Sequence, residues 1–223
     1  MKLTGETKFF IGVIIATVAI LGFAIVFFGR APKEQIVTTD KLVKEDSWAT
    51  GSATPKVILV EFSDFECPAC GAAQPAVAQV IAKYKDDLKF VYRHFPLEQH
   101  THAQKAAETA EAAGAQGKFW EMHDLLFKNQ TNLADDVING LGIELKLDMD
   151  KFTKELSGGT YGAKVKKDQA DGIALGINST PSFFLNGKKL NLFSFNDLDS
   201  EVQKAISSAS PFSVTPSASS SSQ

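Results

Sequence analysis

The sequence predicts an α/β fold: one sheet made from a parallel strand-helix-strand unit and a later antiparallel hairpin, with a helical subdomain inserted between them and one transmembrane helix in front. Three observations carry this expectation. Two short β-branched runs flank a helical segment, a long stretch of successive helical patterns separates them from a third strand signal, and an uncharged apolar run of about twenty residues opens the chain.

The chain's 223 residues suffice for one well-buried domain and are too few for two large ones. With 44% hydrophobic and 22% charged residues, composition alone names no function class. The net charge of -3, with lysines scattered among acids, argues against a nucleic-acid partner.

Phe9 to Gly29 (FFIGVIIATVAILGFAIVFFG) has the length of a helix that crosses a hydrocarbon core. Residues 1–30 are therefore read as an N-terminal membrane anchor. A cleavable signal peptide is the rival, but Gly29-Arg30-Ala31 runs into Pro32, a poor cleavage junction. Lys2 and Lys8 precede the run while Arg30 and Lys33 follow it, so the charge rule does not orient it. Residues 31–54, mixed in Pro, Lys, Glu, Asp, Ser and Gly, read as a tether. The domain is placed at 55–206, and residues 207–223 read as a disordered Ser-rich tail.

Within the domain, Lys56 to Phe62 (KVILVEF) suits a buried central strand and Leu88 to Phe95 (LKFVYRHF) a second. Val77, Val80, Ile81 and Tyr84 lie between them at helical spacing, so the two strands pair in parallel. From about 100 to 178 the chain reads as a helical insertion. Ala106 to Gln116 is alanine-rich, Phe119, Met122, Leu126 and Phe127 fall on one side of the next helix, and Val165, Ile173 and Ile177 on one side of a third. Ser182 to Leu185 then meets the hairpin signal Asn186-Gly187, with Lys188 to Leu192 returning beside it and a closing helix from about Asn196 to Ile206.

The chain has two cysteines, Cys67 and Cys70, too few and too close for a structural disulfide framework. The order strand, Asp64-Phe65-Glu66, Cys67-Pro68-Ala69-Cys70, helix puts Cys67 at a helix N-terminus, where unpaired N–H groups and the helix dipole favour the thiolate. Pro68 suits the first helical position. Such a thiolate attacks disulfides, and Cys70, one turn on, resolves the mixed disulfide. Three other readings compete. The cysteines are small buried hydrophobes, or they form a static bridge in a binding module, or they are half of a zinc site completed by two of His94, His100, His102 and His123.

From about Ser52 to Ile206 the chain resembles the DsbA-like thioredoxin-fold thiol:disulfide oxidoreductases of bacteria, membrane-tethered or secreted. The motifs that carry the resemblance are Glu61-Phe62-Ser63-Asp64-Phe65-Glu66-Cys67-Pro68-Ala69-Cys70, Arg93-His94-Phe95-Pro96-Leu97, Gln116-Gly117-Lys118-Phe119-Trp120 and Ser179-Thr180-Pro181-Ser182-Phe183-Phe184. The resemblance implies a thioredoxin-like fold with a helical insertion, a redox-active cysteine pair and no further cofactor. It also implies an active-site helix kinked at Pro75 and a cis Thr180-Pro181 bond against the cysteines; a trans turn proline is the alternative. Thr180, Pro68 and Ala69 are then the substrate-facing positions, with the Thr180 backbone pairing to an extended chain. Glu61 matches the family's buried acid. By alternation it shares a side with Val57 and Leu59, where a carboxyl of raised pKa relays protons for Cys70; an exposed carboxylate at a strand end is the other reading, and Asp64 and Glu66 are expected as rim charges. The partners implied are reduced or unfolded exported proteins and a membrane partner that reoxidises the pair, at the membrane's extracytoplasmic face. Ala69, where the strongest oxidants of the family carry histidine, implies a milder oxidant. A reductase or isomerase is the alternative direction.

Overall fold

A computed structural model describes residues 11, 15–23 and 36–209, in two units, Met1–Gln35 and Ile36–Gln223. In the first unit residues 15–23 are helical, with Ile15, Val18, Ile20, Leu21 and Phe23 exposed. The anchor expected at Phe9 to Gly29 lies partly outside the described residues, and no helix among those described is long and apolar enough to cross a membrane.

In the second unit β1 (Trp48–Gly51), β2 (Val57–Ser63), β3 (Leu88–His94), β4 (Ser182–Leu185) and β5 (Lys188–Lys189) form one sheet in the order β1-β3-β2-β4-β5. β2 and β3 pair in parallel from Val57 against Leu88 to Ser63 against His94, and the other pairings are antiparallel. The parallel pair requires a crossover, supplied by α2 (Pro68–Lys83). Both central strands are covered on two sides, which is why they read as nearly continuous apolar runs. Val57, Leu59, Phe90 and Tyr92 face one core, shared with α2 and the insertion. Val60, Phe62 and Val91 face a second, with Phe95, Ile177 and Phe184. At the hairpin, Asn186 (φ 49°) and Gly187 (φ 86°) both take positive φ, as a two-residue type I′ turn demands.

The insertion comprises α3 (Ala103–Gly114), α4 (Phe119–Lys128), α5 (Asp135–Glu144), α6 (Met149–Ser157) and α7 (Gly162–Ala174). The alanines of α3 are buried, so α4 packs close, with Phe119, Met122 and Leu126 in the shared core. The expected apolar side of the third helix is only partly right: Val165 on α7 and Ile177 just beyond it are buried, but Ile173 is 60% exposed. Helix α8 (Asp197–Ser208) closes the domain and is tied to α2 by a Lys83–Asp199 ion pair of 2.8 Å.

The tether boundary is corrected. From Ile36 onward the segment is part of the domain: a short helix, α1 (Thr39–Leu42), buries Leu42, and β1 pairs with β3. Trp48 stacks on Phe119 with ring centroids 4.4 Å apart, and its Nε1 donates to Glu111 at 2.8 Å. Burial of a few large side chains outweighs the segment's polar composition. Ser207 and Ser208 likewise belong to α8, while the expected tail from 210 lies outside the described residues.

Candidate active site

Strand β2 ends at Ser63, and the turn Asp64-Phe65-Glu66 delivers Cys67 to the N-cap of α2, with Pro68 at the first helical position. The turn is fixed by Asp64, expected at the rim but only 2% exposed. Its carboxylate accepts from the Glu66 and Leu97 backbone N–H groups, both at 2.8 Å, and from His100 Nδ1 at 2.7 Å. These bonds tie the turn to the loop after β3, which is why burial is tolerated. Glu66, half-buried, accepts from the His102 backbone at 2.7 Å and pairs with its ring at 3.1 Å.

Both cysteines are free thiols. Cys67 is 6% exposed and its Sγ lies 3.5 Å from the Thr180 carbonyl oxygen, while Cys70 is fully buried. The Thr180-Pro181 bond is cis and opens β4. Pro68 and Ala69 are exposed beside the cysteines. A hydrogen bond from Cys70 holds the Cys67 thiol down to about 5, helped by Thr180 and by the Cys70 and Ala69 N–H groups at the helix start, against the opposing effect of burial. Cys70 moves the other way, pushed up by burial, by its bond to Cys67 and by the charge of Glu61. One thiol is thus ionised at neutral pH and its neighbour holds its proton, the division of labour that dithiol exchange requires.

Glu61 is completely buried on the side facing the cysteines. Its Oε1 accepts from Ser63 Oγ at 2.7 Å and from Gln74 Nε2 at 3.4 Å, while its Oε2 has no hydrogen-bond partner among the described residues. Burial raises its carboxyl to about 7, only partly offset by those two bonds. An acid raised on folding binds its proton more tightly folded than unfolded. Its favourable contribution is therefore full below about 4.5 and is lost as pH rises through about 7. Glu61→Gln, which mimics the neutral form, should be near neutral at pH 4 and stabilise the reduced protein by roughly 3 kcal/mol at pH 8. Urea melts at the two pH values check this; equal effects at both would refute a buried, titrating Glu61.

Gln130, in the turn after α4, carries no signal in the sequence. Its Nε2 donates to the carbonyls of Cys67 at 3.0 Å and Phe65 at 3.3 Å, clamping the insertion to the active-site turn. Its Oε1 lies 1.9 Å from where a Cβ on Gly71 would stand, so the close approach needs glycine on α2. Gly71→Ala should destabilise the protein by about 1 kcal/mol by displacing this amide. In a Gln130→Ala background the same change should become stabilising, because alanine is the better helix former by about 1 kcal/mol. A double-mutant cycle by urea denaturation tests the clamp, and additive effects would refute it.

Of the resemblance's other motif residues, Arg93 of β3 is buried on the face of the sheet away from the cysteines, and His94 pairs with Glu111 at 2.9 Å, which also takes Trp48 and Lys164. Among the described residues no group of three or more His, Cys, Asp or Glu is placed to hold a metal ion. Helix α2 runs unbroken through Pro75.

Fold and cysteine geometry together define the class, a thioredoxin-fold protein with its Cys67-Pro68-Ala69-Cys70 pair at a helix start. Residues 43–206 match the thioredoxin family, and the chain belongs to it. Among solved structures, oxidised BdbD from Bacillus subtilis superposes with a TM-score of 0.66 at 20% identity, covering 78% of this chain and 97% of its own. A thioredoxin-like oxidoreductase from Silicibacter pomeroyi gives 0.64 at 24% identity, covering 77% and 96%. The α-DsbA1 of Wolbachia pipientis gives 0.67 at 18% identity, covering 75% and 94%. Curated relatives carry a different name. A Na(+)/H(+) antiporter NhaA 1 of Salinispora arenicola is 43% identical over 141 residues, 62% of this chain and 21% of the relative. NhaA 3 of Salinispora tropica is 38% identical over 161 residues, 71% of this chain and 24% of the relative. The chain thus spans about a fifth to a quarter of the length of these relatives.

Proposed function

We propose that the chain donates its Cys67–Cys70 disulfide to reduced proteins exported across the membrane and is recharged by a membrane redox partner. The observation that carries this direction is the Cys67 thiol held at about 5 at the helix start. A thiolate stabilised in the reduced form makes the disulfide the less stable partner, hence oxidising. It is also the better leaving group, so the substrate's second thiolate displaces it quickly.

In the donating direction a substrate thiolate attacks Cys67 Sγ and Cys70 leaves as a thiolate, which takes up a proton supplied by Glu61. A second substrate thiolate then attacks its own mixed-disulfide sulfur and releases the Cys67 thiolate. The substrate is oxidised and the pair reduced, with no cofactor beyond the two sulfurs. Exposed Pro68 and Ala69 and the Thr180 backbone form the docking face, where an extended chain adds as a short strand with little sequence preference. Without a histidine in place of Ala69 the oxidant is a mild one. The apolar run at Phe9 to Gly29 supports an extracytoplasmic, membrane-anchored location, where disulfides persist. Antiport is not carried over from the curated relatives, because the chain spans so small a part of them.

The test is equilibration of the protein in glutathione buffers of stepped ratio, with the state of Cys67 and Cys70 read by thiol trapping. An oxidising potential supports donation. A strongly reducing one would make the protein a reductase instead, and absence of exchange would leave a static bridge.

A further inference from the structure

The chain enters the second unit at the end of the sheet remote from the cysteines. Strands β2 and β3 both run toward the active-site turn, and the Asn186-Gly187 hairpin lies at their opposite end, where the Asn186 N–H donates to the Ile58 carbonyl at 2.9 Å. Ile36 pairs with Lys188 in an isolated antiparallel bridge, and the Val37 N–H donates to the Gly187 carbonyl at 2.8 Å. Entry point and Cys67 are thus separated by the length of β2, about 20 Å for its seven residues. The start of α8 stands at the same end as the hairpin, since Asp199 pairs with Lys83 at the close of α2, the helix that begins after Cys67.

Between β5 and α8 the loop 190–196 carries Leu192, Phe193 and Phe195. Leu192 and Phe195 pack against the core, while Phe193 between them is wholly exposed. The Ser194 N–H donates to the Asp197 carboxylate at 2.9 Å, which fixes Phe193 beside the start of α8. Ile36, also exposed, is the bridge partner of Lys188, five positions before Phe193. Two exposed apolar side chains therefore flank the point of entry. Acids accompany the lysines here, with Lys56 paired to Asp87 at 2.9 Å and Lys83 to Asp199 at 2.8 Å, so this end offers an apolar contact rather than a basic patch.

We propose that Phe193 inserts into the interfacial zone of the membrane that anchors the chain, seating the hairpin end on the bilayer and turning the Cys67 end away from it. This rests on the reading of Phe9 to Gly29 as the anchor and adds which side of the domain faces the lipid. Six residues, Arg30 to Gln35, separate that run from Ile36, so Ile36 stays within about 25 Å of the bilayer even at full extension. A lone aromatic binds a bilayer weakly, but a short tether makes the encounter intramolecular, at an effective concentration of roughly millimolar. The anchor supplies proximity and Phe193 the orientation, with its ring at the level of the headgroups as in other interfacial aromatics. Exposed Pro68 and Ala69 then lie on the outward end, open to extended chains arriving from the side away from the membrane.

The experiment places the full chain in vesicles of zwitterionic phosphatidylcholine with brominated acyl chains and reads tryptophan quenching against unbrominated vesicles. Phe193 is wholly exposed, so Phe193→Trp should fold as the wild type does. At the boundary of headgroups and acyl chains the new indole should lose about half its fluorescence to bromine. The wild-type protein, whose Trp48 and Trp120 pack against the core, should lose far less. Glu98→Trp, exposed in the loop that Asp64 ties to the cysteine end, should match the wild type. Flotation of the same vesicles separates the two readings. Protein that floats without quenching at position 193 keeps the anchor and overturns the seating; protein that does not float overturns the anchor, and the seating with it. Equal quenching of Glu98→Trp and Phe193→Trp would mean a domain without a fixed orientation. A blue-shifted position 193 without bromine quenching would mean that another protein surface, a second copy included, covers it. Either result overturns the proposal.

Discussion

Cys67→Ser is expected to reduce disulfide exchange below detection, while Cys70→Ser still attacks disulfides and accumulates the mixed disulfide. The asymmetry follows from the geometry. Cys67 sits at the helix start with its sulfur against the Thr180 carbonyl and its thiol held at about 5. Cys70 is fully buried and its thiol is pushed up, so it reacts only with a sulfur delivered to it. Non-reducing gels after mixing each variant with an oxidised protein substrate separate the outcomes. A covalent complex with Cys67→Ser but none with Cys70→Ser would reverse the assignment. Linkage gives an independent check. A thiol depressed on folding stabilises the reduced protein fully above the ordinary thiol range near pH 8.5, and that stabilisation is lost as pH falls through about 5. Up to about pH 7 the loss from Glu61 offsets this gain, so the reduced protein should gain stability chiefly between about 7 and 8.5. The oxidised protein, which lacks the titrating thiol, should not show this dependence. Iodoacetamide labelling of Cys67 should follow the same titration.

What the sequence revealed depended on how local the physics was. The central strands, the helix start at Cys67 and the Asn186-Gly187 turn each follow from neighbouring residues, and each stands where the pattern put it. The side of β2 on which Glu61 lies was readable from alternation, while its burial was what the resemblance implied. Helices α5 and α6 were less visible because Gly140 and Gly142 interrupt one and the other is largely polar. Contacts distant in sequence were hidden altogether. Trp48 meets Phe119 and Glu111 across more than sixty positions, which turned a polar tether into a strand of the domain. Asp64 reads as a surface charge until the loop after β3 supplies its donors. Gln130 carries no signal in its own neighbourhood, although Gly71, a poor helix former one position after Cys70, marks the place where something approaches. Ser63 could have been found, since the same alternation that places Glu61 places it too.

Arg93→Met is expected to lower stability by about 3–5 kcal/mol, the range for removing one partner of a buried ion pair. The Arg93 side chain is wholly buried, and its Nε donates to Asp168 at 2.9 Å, one terminal nitrogen to Asp171 at 2.7 Å and the other to the Leu42 carbonyl at 2.8 Å. One guanidinium thus holds α1, β3 and α7 together, with its central carbon 5.2 Å from the centre of the Phe62 ring. Methionine restores most of the volume, so the loss comes chiefly from the abandoned Asp168 carboxylate and Leu42 carbonyl. Lysine keeps the charge but not the planar fork, and Arg93→Lys should lose an intermediate amount. Changing both partners, Arg93→Met with Asp168→Leu, should recover part of the stability lost by Arg93→Met alone, because no charge is then stranded. In the sheet Arg93 pairs with Phe62, on the side away from Glu61 and the cysteines. The folded fraction of Arg93→Met should therefore keep the wild-type Cys67 titration and resolution rate. Urea melts read the first expectation and alkylation against pH the second. A Cys67 titration that moved with Arg93 would mean that the two faces of the sheet are coupled, and that the active-site turn depends on the far core for its geometry.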